Sequence, residues 1–123
     1  MAIEKVLIVD DSPTEQHFIS GFLKKHGLEV ITANNGEQGI SIAKSQLPDL
    51  ILMDVVMPGM NGFQATRKLN RDPETKSIPV VIVSSKDEVT DRAWGMRQGA
   101  VDYIVKPVSE SLLINKIREL SSV

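Results

Sequence analysis

The sequence contains no cysteine. Disulfides, zinc thiolates and a cysteine nucleophile are thereby excluded, and a reducing compartment fits. Long apolar runs are also missing. The longest are strand-sized, far short of the roughly 20 residues that span a bilayer, so no membrane insertion is expected. The opening Met1-Ala2-Ile3-Glu4-Lys5 shows no basic segment followed by an apolar stretch and a cleavage site. No secretory signal is visible, and a cytoplasmic location is the expectation. Charge of one sign is not in excess: Lys+Arg 14 against Asp+Glu 16 gives a net charge of −2. That balance argues against nucleic acid as the main partner. With 41% hydrophobic and 24% charged residues, the composition is that of a globular domain rather than a disordered chain. The 123 residues suit a single domain with a core that needs no staples.

What is present is an alternation. Short, nearly continuous apolar runs occur at Val6–Val9, Leu50–Met53 and Val80–Val83, with weaker ones at Val30–Ile31 and Tyr103–Val105. They are too short for helices and read as strands covered on both faces. Between them lie stretches of helical period. Phe18, Ile19, Phe22, Leu23 and His26 follow such spacing, with Gly27 as a stop. Ser12-Pro13-Thr14-Glu15 reads as the start of that helix, with Ser12 as N-cap, Pro13 at the first helical position and Glu15 closing a capping box. Asn35-Gly36-Glu37-Gln38 resembles a second start, leading to Gly39–Gln46. Further helices are predicted over 62–70, 89–98 and 109–120. Five β-α units in series imply an α/β fold, a parallel sheet with right-handed crossovers and helices on both faces. Ligands of such sheets bind beyond the carboxyl ends of the strands.

Those ends carry chemistry. The first strand runs into Asp10 and Asp11, the third into Asp54, the fourth into Ser84 and Ser85, and the fifth into Lys106 and Pro107. Any one of them alone reads as a turn, cap or surface residue. Together they place three carboxylates, a hydroxyl and an ammonium at one edge. Crowded carboxylates raise one another's pKa unless a cation sits among them, and Mg2+ suits a few carboxylates plus water. A carboxylate beside Mg2+, a lysine and a hydroxyl can attack a phosphoryl group whose oxygens the cations neutralise.

The motifs are Val-Asp-Asp-Ser at 9–12, Met-Asp-Val-Val-Met-Pro-Gly-Met-Asn-Gly at 53–62, Val-Ser-Ser at 83–85, Gly-Ala-x-Asp-Tyr at 99–103, and Lys106-Pro107. With them the chain resembles the receiver domain of two-component response regulators, from about Lys5 to Leu120. The resemblance implies a flavodoxin-like, CheY-like (βα)5 sheet of strand order 2-1-3-4-5. It implies that Asp54 accepts a phosphoryl group from a CheA-like sensor histidine kinase. Asp11 and Asp54 would bind Mg2+ directly, with the Val56 backbone carbonyl, and Asp10 would act largely through water. Ser84 would be the switch hydroxyl, Tyr103 the aromatic rotamer switch, and Lys106 the phosphate contact ahead of a cis proline. Three further stretches, 10–15, 62–75 and 94–100, look like the PilH-type regulators of chemotaxis-like systems that govern type IV pili and twitching motility.

Five β-α units use nearly all of the 123 residues, so residues 1–123 are expected to be one receiver domain without an effector domain, whose output is binding a protein target. On the fourth helix Val89, Ala93, Met96 and Ala100 share one stripe, predicting that face as buried. Trp94, the single tryptophan, would then lie exposed on the face next to Tyr103, as a partner anchor or as flat packing. Leu112 and Ile114 would either join that patch or widen the buried face of the fifth helix. His17 and His26 are read as surface or boundary residues, and Met57 and Met60 as shaping the loop after Asp54. Alternatives are a phosphate sink that drains a shared kinase, a Mg2+-dependent phosphatase and a flavodoxin-like cofactor binder. An aspartate-nucleophile phosphatase would want a second acid two residues after Asp54, where Val56 stands. A flavin phosphate would be repelled by Asp10-Asp11.

Val56 and Lys86 stand where the best-known chemotaxis receivers commonly have Asn and Glu. An apolar side chain there hinders a hydrolytic water, and a lysine adds a cation. Val56→Asn is therefore expected to shorten the lifetime of an aspartyl phosphate severalfold, measured as autodephosphorylation. An unchanged or longer lifetime would contradict this.

Overall fold

The computed structural model describes residues 2–121. Ten elements alternate along the chain: β1 (Lys5–Val9), α1 (Pro13–Lys25), β2 (Glu29–Ala33), α2 (Gly36–Gln46), β3 (Leu50–Met53), α3 (Gly62–Arg71), β4 (Val80–Ser84), α4 (Val89–Arg97), β5 (Asp102–Val105) and α5 (Glu110–Ser121). The five strands are parallel and lie in the order β2-β1-β3-β4-β5. All five expected units and the expected strand order are present. Boundaries agree within a residue or two.

Burial on both faces is what makes β1, β3 and β4 continuous apolar runs. Alternate side chains go to opposite sides of the sheet. Val6, Ile8, Leu50, Leu52, Val81 and Val83 pack with Ile19 and Leu23 of α1 and Leu113 and Ile117 of α5. Leu7, Val9, Ile51 and Met53 pack with Ala43 of α2 and Ala65 and Leu69 of α3. Val55, Ile82, Ala100 and Tyr103 form a smaller third cluster with Phe63 against them. The weak run of β2 is explained by its place at the edge, where only Ala33 is fully buried.

The helix starts follow the cap residues, with one correction. Asn35 accepts from the Gln38 N–H at 2.8 Å, and Asn61 and Gln64 form a reciprocal capping box. Ser12 accepts from the Glu15 N–H at 3.3 Å, but Glu15 does not return the bond. The Ser12 N–H donates instead to Asp10 Oδ1 at 2.9 Å, which frees Glu15 to face elsewhere.

The buried stripe expected on α4 is also corrected. Of its four members only Ala100, past the helix end, is buried; Val89, Ala93 and Met96 are exposed, and within the helix only Gly95 is buried. A methyl group on Gly95 would come within 2.7 Å of Ile82 Cδ1 and 3.3 Å of the Tyr103 ring. The helix therefore lies on the sheet through a residue with no side chain, which a search for apolar periodicity passes over. In α1 Phe18 is likewise exposed although Ile19 and Leu23 are buried. In α5 Ile114 is buried and Leu112 is half exposed, so only Ile114 widens the core face.

Gly62 is the glycine with the least room for a side chain. Its N–H donates to the Val55 carbonyl at 2.9 Å, and a Cβ there would overlap the Asp54 carbonyl oxygen. Backbone cannot yield as a flexible side chain can. Gly62→Ala is expected to destabilise the protein by about 3 kcal/mol or more in chemical denaturation. A loss below about 1 kcal/mol would contradict this packing.

Candidate functional site

Register sets the strand ends: β1 and β3 stop together, and β4 and β5 run two residues further. Val9 lies beside Met53 and Met53 beside Ile82, and Ser84 pairs with Val105. The ladder continues one residue further. Asp10 N–H donates to the Ala33 carbonyl, Asp54 N–H to the Val9 carbonyl and Lys106 N–H to the Ser84 carbonyl, at 3.1, 2.9 and 2.9 Å. Asp10, Asp54 and Lys106 are thus fixed by backbone bonds just past the ends of β1, β3 and β5, and Lys106-Pro107 is a cis peptide.

The carboxylates of Asp10, Asp11 and Asp54 offer oxygens within 4.8 Å of one another. Asp10 and Asp54 are buried and Asp11 is exposed. Lys106 Nζ bridges the buried pair, 3.1 Å from Asp10 Oδ2 and 3.3 Å from Asp54 Oδ1. Glu15 Oε2 stands 3.9 Å from the same nitrogen. These groups open to a cavity also lined by Ser12, Val56, Ser85 and Pro107. Burial, and then the charge of Asp10, pushes the Asp54 carboxyl up to about 6 against the opposing pull of Lys106. At Lys106 burial acts to lower the pKa, but Asp54 and Asp10 outweigh it and hold the ammonium above its usual range.

Three carboxylates face one ammonium, so negative charge remains. An all-oxygen donor set with uncompensated charge is chemistry that fits a hard divalent cation. The acidic cluster could bind a metal ion.

Ser84 reaches this edge but faces inward. It is fully buried, and its hydroxyl accepts from the Lys86 N–H at 3.1 Å, leaving Ser85 at the mouth. Tyr103 is buried too, and its hydroxyl donates to the Lys86 carbonyl at 2.6 Å. The Lys86 backbone, through its N–H and its carbonyl, thus joins the serine to the tyrosine. Arg92 lies over the Tyr103 ring, 5.5 Å from its centre, and burial raises the phenol pKa. The exposed Val56 side chain flanks the cavity.

Trp94 is exposed as expected but not beside Tyr103. It lines a groove between α3 and α4 with Arg67, Asn70, Arg71, Arg97 and Gln98. Arg92 and Trp94 are two residues apart, about 200° around the helix, so they occupy opposite flanks of α4. The expected position rested on the stripe that Gly95 displaces. His26 lies away from the acidic edge, its Nε2 3.1 Å from Glu110 Oε2.

Two contributors were not legible as such. Glu15 stands where a capping box would use it and instead faces Lys106. Gln16 Nε2 donates to the carbonyls of Asp10 and Ala33 and to Asn34 Oδ1, at 2.6, 3.2 and 3.0 Å, tying the ends of β1 and β2 together. A polar residue on a partly polar helix gave no signal of that role.

Among known families, the response regulator receiver domain matches residues 6–118. The chain belongs to this family. Receivers also surround it in sequence and structure. It is 55% identical over 113 residues to the protein PilH of Pseudomonas aeruginosa, covering 92% of this chain and 93% of that one. It is 39% identical over 117 residues to the response regulator PleD of Caulobacter vibrioides, where it covers 95% of this chain but only 26% of that one. Among solved structures, the Vibrio cholerae chemotaxis protein CheY4 superimposes with a TM-score of 0.90 at 29% identity, covering 97% of this chain and 99% of that one. No helix of this receiver, among its described residues, is long and apolar enough to cross a membrane.

The raised Asp54 pKa has a stability consequence in the metal-free receiver. A carboxyl held above its unfolded value stabilises the fold while protonated, and that contribution is lost as pH rises from about 4 through about 6. Replacing Asp54 by Asn removes the charge. Asp54→Asn is expected to be more stable than wild type by about 1–2 kcal/mol at pH 7.5, after screening at the cavity mouth, with the advantage shrinking below pH 5. Equal denaturation midpoints at both pH values would contradict the electrostatic account.

Proposed function

We propose that the protein is a stand-alone response regulator, residues 1–123 forming one receiver domain, that accepts a phosphoryl group on Asp54 from a CheA-like sensor histidine kinase and signals by binding a protein target. The observation that carries this reading is the bridge of Lys106 across two buried carboxylates whose third neighbour, Asp11, leaves the edge negatively charged. Asp10, Asp11, Asp54 and the Val56 carbonyl would hold Mg2+. When bound, the ion supplies charge neutralisation for the transferring oxygens. In the transfer, an Asp54 carboxylate oxygen attacks phosphorus, an O–P bond forms, and the donor's P–N bond breaks. The histidine nitrogen leaves with the electron pair. Lys106 is placed to contact the transferred group.

The switch is local. A phosphoryl group on Asp54 adds acceptor oxygens and charge at the cavity. Ser84 would leave the Lys86 N–H to donate to it. Tyr103, tied to the carbonyl of the same residue, would be released or repositioned in turn. That biases a pre-existing two-state element and alters the face formed by α4, β5 and α5. Identity to PilH supports a role in type IV pili or twitching motility. Val56, two residues after Asp54, has no proton to give a leaving group, which favours a switch over a phosphatase. A cytoplasmic site of action is part of this proposal.

Incubation with a labelled phosphorylated histidine kinase and Mg2+ is expected to label the wild type at Asp54. Asp54→Ala is expected to abolish labelling, and Lys106→Ala to slow it or block its structural effect. Labelling of Asp54→Ala at the wild-type level would overturn the assignment.

A further inference from the structure

The groove that holds Trp94 lies on the other side of α4 from Tyr103 and toward the edge where the strands begin, away from Asp54. Arg67 and Arg71 of α3 stand one turn apart on one face, and Arg97 of α4 completes the lining. All three are exposed, and none forms an ion pair with a described residue. Lys44 of α2, which faces the other flank of α3, is by contrast matched by Asp72 at 2.8 Å. Guanidinium is permanently charged, so three of them in one groove repel each other without an anion. This occurs in a chain whose net charge is −2. Trp94 is 45% exposed in the same groove. Exposed tryptophan beside arginine is the composition of an interface anchor.

Helix-end stabilisation accounts for part of this. Arg71 and Arg97 sit in the last turns of α3 and α4, where a cation offsets the helix dipole. It accounts neither for Arg67, in the middle of α3, nor for the exposed indole.

We propose that the groove between α3 and α4 docks an acidic segment of a partner protein, its carboxylates on Arg67, Arg71 and Arg97 and an apolar side chain on Trp94. A peptide with a few carboxylates matches three cations and an apolar plate. A nucleic acid, with a phosphate at every nucleotide, calls for a longer basic stripe than three guanidinium groups in one groove. The site is separate from the phosphoryl chemistry and does not depend on it.

Trp94 is the single tryptophan, so its fluorescence reports on this groove alone. The probe is a synthetic peptide of about 12 residues, glutamate with interspersed leucine and phenylalanine, titrated to about 1 mM, a concentration that detects even weak association. A saturable shift of the emission is expected, weakening as salt rises. The double variant Arg67→Gln/Arg71→Gln should weaken binding about tenfold, while Lys76→Gln, an exposed lysine elsewhere, leaves it unchanged. With labelled peptide and anisotropy, Trp94→Ala should also bind about tenfold more weakly. Circular dichroism melting verifies that the exposed-site variants fold. No saturable shift, or wild-type affinity in the arginine or tryptophan variants, would overturn the proposal. So would tighter binding of an oligothymidylate than of the peptide, since that would make the groove a nucleic-acid site.

Discussion

One ammonium between two buried carboxylates organises this molecule. Lys106 reaches from the end of β5 to Asp10 and Asp54 at the ends of β1 and β3. Each of those residues is held by a backbone bond that extends the sheet. The hydrophobic layers on both faces position the strands, and the strand register positions the charges. The result is a rigid sheet edge that one cation compensates only in part. That shortfall makes the site receptive to a further cation and sensitive to an added phosphoryl group.

The same edge connects chemistry to motion. Ser84 and Tyr103 are not spread around the cavity as free groups. Both bind the Lys86 backbone, one at its N–H and the other at its carbonyl. A demand on the serine is therefore a demand on the tyrosine. Gly95 lets α4 sit directly above that ring, so a displaced Tyr103 meets the helix at once. Coupling between the acidic edge and α4 needs only these few contacts.

Much of this was readable in the sequence, for a physical reason. Fully buried parallel strands leave continuous apolar runs, and the first polar residue after each run marks the carboxyl edge. Asp10, Asp54, Ser84 and Lys106 were legible by that rule alone. Residues whose roles depend on rotation or direction were not. Gly95 contributes no side chain to a periodicity, so apolar spacing on α4 selects the exposed Val89, Ala93 and Met96 as the buried face and turns Trp94 to the wrong flank. Glu15 sits where a capping box would put it, and only the competing Asp10–Ser12 bond shows that it turns to Lys106. Membership of the receiver family gives the fold and the class of function. The α4 orientation comes from packing.

The most direct measurement is a carbon-13 NMR titration of the Asp54 carboxyl, without and with saturating Mg2+. The crowded, buried edge described here predicts a midpoint near 6 without the ion. It predicts a marked fall once a divalent charge stands among the carboxylates. An ordinary carboxylate midpoint that Mg2+ leaves in place would contradict the account.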